Sequence, residues 1–221
     1  MKSKIALLLA LAAPALQAAT ITWGTSGPVT TSTEISTNGA LFEAWNVSGA
    51  TETINGVVFA GFGSGPSTNI STTFLNDVNA DFWGSADPGG ADGAAYNRAL
   101  DDGRWNDPVG ARDINIAGLT PGFTYEVQVW NADTRGCCNN RTRTYTAGNT
   151  LTLNTGNNGF GQWGIGTFVA DGSGTQTITV DGSGTYGPQL NMIQVRTLIP
   201  EPSVSLLGLG ALGLLLRRRR A

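Results

Sequence analysis

The 221-residue sequence contains no histidine, and its only lysines are Lys2 and Lys4. The first absence excludes a Ser-His-Asp or Cys-His nucleophile, and the second leaves no lysine downstream as a substitute base. Cysteine is nearly missing too: Cys137 and Cys138 stand alone and adjacent. Two neighbouring sulfurs without a histidine lack a usual zinc ligand set. Basic charge is scarce in the body of the chain. Setting aside Lys2, Lys4 and Arg217 to Arg220 leaves seven arginines, against fifteen acids once Glu201 is set aside. That balance repels phosphate backbones and excludes nucleic acid as a partner. Long helical periodicity is also missing between Thr20 and Ile199, where one short segment is the exception.

What is present is clearest at the two ends. Lys2 and Lys4 precede an apolar stretch from Ile5 to Ala13, then Pro14 and the small-residue segment Ala15-Leu16-Gln17-Ala18-Ala19. This is the three-part layout of a secretory signal peptide over residues 1–19, with the mature chain starting near Ala19 or Thr20. Signal peptidase is the partner it implies. At the other end Ile199-Pro200-Glu201-Pro202 leads into thirteen largely apolar residues, Val204 to Leu216, and then Arg217, Arg218, Arg219 and Arg220. As a helix that run reaches about 20 Å, short of the roughly 30 Å hydrocarbon core. Snorkelling arginines extend its reach and fix its end on the cytoplasmic side.

The Pro-Glu-Pro motif, the short Leu/Gly/Ala helix and the terminal arginine cluster resemble the PEP-CTERM sorting tail of Gram-negative bacteria, over residues 199–221. The resemblance implies recognition by an exosortase, transient membrane anchoring through the C-terminal transmembrane helix, and removal of the tail near Pro200 to Pro202. It implies delivery through the inner membrane to the cell envelope, cell surface or an exopolysaccharide matrix. Such tails occur on proteins of unrelated activity, so the route follows from it and the function does not.

The body, residues 20–198, is long enough for one domain with a sizeable core. Its threonines, valines and isoleucines suit half-buried strands, and Gly, Asn and Asp punctuate turns. Phe123, Tyr125, Val127 and Val129 alternate toward one face, and the arm with Ile114 and Ile116 is expected to pair with them antiparallel around Pro121-Gly122. Asn55-Gly56 predicts a hairpin. Asp171-Gly172-Ser173-Gly174-Thr175 recurs as Asp181-Gly182-Ser183-Gly184-Thr185, read as two turns around a strand at Thr177 to Val180. Leu190 to Leu198 forms the last strand, with Ile193 and Val195 inward. Ala91 to Leu100 predicts one short helix, with Ala94, Ala95, Tyr96, Ala99 and Leu100 on its covered face, crossing a mouth of the fold. About nine or ten strands point to an all-β, two-sheet antiparallel β-sandwich, a jelly roll. The run Gly118-Leu119-Thr120-Pro121-Gly122-Phe123-Thr124-Tyr125-Glu126-Val127-Gln128-Val129-Trp130, followed by Asp133, Arg135 and Arg141 and by Leu190 to Arg196, also resembles exported galactose-binding-like jelly-roll domains.

Candidate sites lie in loops. Trp83, Trp105 and Trp163 sit among Asp, Gly and Asn and are candidates to stack on a sugar ring, the alternative being plugs at the ends of a sandwich. Trp23, Trp45 and Trp130 read as core or sheet-edge residues. Cys137 and Cys138 leave three readings open: free thiols, a vicinal disulfide, or cross-links between chains. Asp133, Arg135, Arg141 and Arg143 surround that pair, either to clamp an anion or to pin a long loop by ion pairing across a hairpin. Asp77, Asn79 and Asp81 open like a calcium loop, but Phe82 and Pro88 stand where an EF-hand needs glycine and glutamate. Only a looser structural Ca²⁺ site remains, with Asp87 and Asp92 nearby; no other cofactor is expected. Asp101, Asp102, Asp107, Asp113 and Glu126 are the carboxylates a glycoside hydrolase would draw on. The expectation is a non-catalytic, carbohydrate-associated surface or matrix protein with exopolysaccharide as a partner. Its alternatives are a secreted glycan-active hydrolase and a self-associating adhesive protein.

Overall fold

Alternating β-branched and polar residues become strands along most of the body: β1 (Thr22–Pro28), β2 (Ala40–Asn46), β3 (Glu52–Ile54), β4 (Val57–Gly61), β5 (Ile70–Thr72) and β6 (Asn76–Val78) precede helix α1 (Gly93–Asp101). After it come β7 (Gly103–Trp105), β8 (Arg112–Ile116), β9 (Thr124–Asn131), β10 (Thr142–Ala147), β11 (Asn149–Asn154), β12 (Gln162–Val169), β13 (Gln176–Gly182), β14 (Gln189–Leu190) and β15 (Met192–Leu198). The structure is a computed structural model that describes residues 19–61, 67–78, 82–84, 86–106, 110–156, 160–183 and 187–198. Most of the expected leader, and the whole tail with Pro200, Glu201, Pro202 and the four arginines, lie outside the described residues. No helix among the described residues is long and apolar enough to cross a membrane.

The strands form a sandwich. A seven-stranded sheet runs β1-β12-β9-β15-β2-β4-β3 and faces a five-stranded sheet, β11-β10-β13-β8-β5. Two expectations need correction here. The domain has a third, three-stranded sheet, β14-β7-β6, made of strands too short for alternation to reveal. Nor is the pairing wholly antiparallel, since β2 and β4 run parallel through Trp45↔Ala60 and Asn46↔Gly61.

The predicted pairing of the Ile114 arm with the Tyr125 strand is also overturned. β8 pairs with β13 and β5, whereas β9 pairs with β12 and β15. Pro121-Gly122 carries the chain from one sheet to the other: Gly122 adopts φ 81° and donates to the carbonyl of Ala170 at 2.8 Å. A turn sequence fixes a reversal but not whether its arms share a sheet. Phe123 consequently leaves the inward set and is 45% exposed. The Asn55-Gly56 hairpin forms as read, with φ 50° and 74° at its two turn residues and β3 paired to β4.

The larger sheet is covered on both faces. Between the sheets lies a core containing Trp45, Val127, Val129, Ile193 and Val195 with Ile114, Tyr145, Ile178 and Val180. On the other face a second core joins Ala44, Phe59, Trp130 and Met192 to Tyr96, Ala99 and Leu100 of α1. The helix therefore lies over the outer face of the sheet rather than across a mouth, and Ala94 is exposed. Trp130 Nε1 donates to the Tyr96 hydroxyl at 2.6 Å, joining sheet to helix. Beyond the helix the cover is polar. Gln128 Oε1 accepts from Ser36 N at 2.9 Å and Gln194 Nε2 at 2.6 Å, Glu126 accepts from Ser36 Oγ and Asn38 Nδ2, and Arg196 Nε donates to the carbonyl of Asn38 at 2.6 Å. A segment without strand structure is thereby held on the sheet, with its backbone groups satisfied by side chains.

Register places both ends of the body at one pole. Thr22 is opposite Thr167, and Leu198, Thr124 and Val169 share a row. The loops after β9 and β11 lie at the opposite pole.

Candidate functional site

Strand parity on the five-stranded sheet decides what its open face offers. Ile114, Ile116, Tyr145, Leu151, Leu153, Ile178 and Val180 turn inward to the core. The alternate positions are then Thr142, Thr144 and Thr146 on β10, Thr150 and Thr152 on β11, Thr177 and Thr179 on β13, Asp113 and Asn115 on β8, and Ser71 on β5. Register aligns them into rows. Thr150 is opposite Thr146, Thr146 opposite Thr179, and Thr179 opposite Asp113. Thr152, Thr144 and Asp181 make a second row, and Thr177, Asn115 and Ser71 a third.

Hydrogen bonds hold the rows. Thr146 and Thr150 hydroxyls lie 3.2 Å apart, Thr177 Oγ1 donates to Asn115 Oδ1 at 3.0 Å, and Thr179 Oγ1 donates to Asp113 Oδ1 at 2.8 Å. The result is a lattice of hydroxyl, amide and carboxylate groups spaced about 4.8 Å across strands and about 7 Å along them. None of these positions is Lys or Arg. Such a face can exchange hydrogen bonds with many hydroxyls at once, and it presents no cation to an anionic ligand. At the pole of the chain ends it runs into a groove of about 510 Å³, which Thr146, Thr177 and Thr179 also line.

A loop-centred reading misses this face, although its signal is in the sequence: Thr142-x-Thr144-x-Thr146, Thr150-x-Thr152 and Thr177-x-Thr179. Alternating threonine reads as a strand under any arrangement. Which side of the sheet stays open depends on the partner sheet, which no local pattern specifies.

The loop candidates gather toward the opposite pole without forming one constellation. Trp83 is only 6% exposed and packs on Phe160, ring centroids 6.0 Å apart, while its backbone N–H donates to Asp101 Oδ1 at 2.6 Å. It plugs the second core. Trp105 is half-buried on β7, opposite Gln189 and Asn76 in the small sheet. Trp163, also half-buried, lies on β12 against the same second core, with its Nε1 donating to the carbonyl of Pro28 at 3.1 Å. Of the others, Trp45 and Trp130 are buried, and Trp23 is half-buried on the edge strand β1.

Cys137 and Cys138 are joined as a vicinal disulfide, S–S 2.05 Å, with Cys137 exposed and Cys138 buried. Thr155 Oγ1 donates to the carbonyl of Cys138 at 2.7 Å, and a Cβ at Gly156 would meet the carbonyl oxygen of Asn139 at 1.7 Å, so the turn sits tightly on the β11–β12 loop. Asp133, fully buried, takes a two-point ion pair from Arg135 at 2.8 Å per bond, and that guanidinium lies 4.8 Å over the Phe82 ring. The pairing is between residues two apart, not across a hairpin as expected, and Arg143 instead lies buried on β10 with its pKa lowered to about 10 by desolvation. Of the calcium candidates, Asp77 is in β6 and Asn79 and Asp81 lie outside the described residues. Asp92 Oδ2 accepts from Asn55 N at 2.7 Å and Asp87 Oδ1 from Asn97 Nδ2 at 2.6 Å. Among the described residues no group of three or more acids and cysteines is placed to hold a metal.

The carboxylates that hydrolysis would need are spread over the fold. Asp101 caps Trp83, Asp102 is buried beside Gly49, Asp113 belongs to the threonine lattice, Glu126 to the polar seam, and Asp107 lies outside the described residues.

No protein-family model matches the sequence, and a search of curated proteins returns no match. Among solved structures, one described under "Structural basis for the promiscuous specificity of the carbohydrate-binding modules from the beta-sandwich super family" covers 79% of this chain and 99% of its own at 12% identity and a TM-score of 0.17, a likeness too low to bear on fold or ligand.

Proposed function

We propose that the chain is an exported, non-catalytic protein of the cell surface or extracellular matrix that holds a hydroxyl-rich polymer, an exopolysaccharide, on the threonine face. The observation that carries this reading is the in-register lattice of hydroxyl, amide and carboxylate groups, without a cation, over the open side of the five-stranded sheet. A glycan chain repeats hydroxyls along its length, and a flat periodic array meets a repeating ligand with many weak bonds in parallel. The domain on this reading is a jelly roll of the galactose-binding-like kind. Delivery follows from the leader and the PEP-CTERM-like tail, through signal peptidase and an exosortase. Its support is the residue pattern at each end, and both ends of the body meet at one pole.

The test is co-sedimentation of the processed protein with insoluble and gelled polysaccharides, neutral and acidic. Arginines at Thr146 and Thr152 are expected to reduce retention by neutral polymers at least several-fold without changing circular dichroism. Retention that survives both substitutions and falls with Trp105→Ala or Trp163→Ala would move the site to the loop pole. Release of soluble oligosaccharide would favour the hydrolase, and a ladder of oligomers collapsing on reduction would favour the adhesive protein.

A further inference from the structure

The chain enters the fold through Ala19 and Thr20, and both line the groove at the end of the threonine face. Contacts on either side of the entry hold them there. Ile21 is fully buried, with its N–H donating to the carbonyl of Ala147 at 2.8 Å. Thr20 lies against Gly148, where a Cβ would stand 2.6 Å from its Cγ2 and Oγ1. Across the groove, the Asp171 carboxylate accepts the backbone N–H of Ala19 as well as the N–H and hydroxyl of Ser173, the latter two at 2.8 and 2.5 Å. Gln176, only 4% exposed, lines the same groove, and its Oε1 has no hydrogen-bond donor. The peptide nitrogen of Ala19 has one N–H, which Asp171 takes. An ammonium would offer three and a positive charge.

We infer that Asp171 and Gln176 form a receptor for the α-ammonium of the processed chain, whose first residue is Ala19. The inference rests on the leader reading, since hydrolysis of the Ala18–Ala19 bond creates the group. Water adds across that bond, Ala18 keeps the new carboxylate on the released leader, and the Ala19 nitrogen takes up protons to become the ammonium. The ammonium keeps the bond to Asp171, now charge-assisted, and has further protons for Gln176 Oε1. Among the described residues, Asp171 is the only ionisable side chain lining the groove. Its hydrogen bonds from Ser173 hold its pKa below the ordinary carboxylate value, so it is an anion throughout the neutral range. Pairing raises the pKa of the ammonium above the ordinary α-amino range of about 7.7–8.0. The stability it adds is complete below that range and lost as pH rises through the raised value.

No lysine follows Lys4, so the α-amine is the only amine of a chain cut at this bond and can be read without interference. The full-length gene is expressed in a Gram-negative host, the exported protein is weighed intact, and acylation of its amine by a succinimidyl ester is timed between pH 6 and 10. The expected mass begins at Ala19. Acylation near neutral pH is expected to run several-fold slower in the folded chain than in denaturant, and Asp171→Asn to remove most of that difference. Export with a different first residue overturns the assignment while leaving the leader reading intact. A chain that stays uncut in the cytoplasm overturns both. An Ala19 start with equal acylation rates in wild type and Asp171→Asn overturns the receptor alone.

Discussion

The side chain of Asn191 ties together two stretches, one 89 to 91 residues before it and one 59 residues before it. Its Nδ2 donates to the carbonyls of Leu100, Asp102 and Ala132 at 2.8 to 3.0 Å, and its Oδ1 accepts the N–H of Ala132 at 2.8 Å. The residue is fully buried between β14 and β15. Asn191→Leu keeps the volume but orphans several groups in the interior, at about 1–3 kcal/mol each. A loss of about 3 kcal/mol or more is expected, seen as a lower guanidinium midpoint at unchanged slope. Nothing in the sequence marks this residue, because a lone Asn in an apolar strand reads as a surface position and its partners are remote. Trp83 illustrates the same limit from the other side: its Gly- and Asp-rich neighbours suggest a loop aromatic free to meet a ligand, whereas those neighbours are the turns that fold it under the second core.

Among elements, β9 is legible in the sequence as a strand but only half legible as a surface. Tyr125, Val127 and Val129 give one apolar face, and alternation by itself leaves the Glu126, Gln128 and Trp130 side open. Both faces are buried, because α1 and the segment around Ser36 cover the second one. Polar residues in such a strand mark either solvent or a polar cover, and alternation alone does not distinguish them. Gln128 is the test of that cover. Gln128→Leu removes the acceptor for Ser36 N and the donor to the Glu34 carbonyl, which its Nε2 reaches at 2.9 Å. Amide hydrogen exchange is expected to rise through residues 34–39 by tenfold or more, roughly the 1.4 kcal/mol of one good buried hydrogen bond, while α1 keeps its protection. The elements most legible in the sequence are those whose signal is local. The Asn55-Gly56 hairpin carries its own φ requirement, and α1 its own period, whereas β8 takes its partner from β13, a strand remote in the chain.

At the scale of the molecule, the sandwich class is legible from composition and turn spacing, while the third sheet and the open threonine face depend on which sheet meets which. The position of β15 has a mechanical consequence. It is the last strand before residue 199, it lies inside the seven-stranded sheet, and it is hydrogen-bonded along its length to β9 on one side and β2 on the other. A pull on the segment that follows Leu198, resisted by a polymer gripping the opposite sheet, acts along the strand axis. It must shear both ladders together rather than open one bond after another. In a force spectrometer, traction from the C-terminal side against an anchor at Thr152 is expected to give a single high-force rupture, and Val195→Pro, which takes one donor out of those ladders and strains the strand, to lower it markedly. On the proposed function, the hold of such a domain on its polymer gives way before β15 is sheared from its sheet.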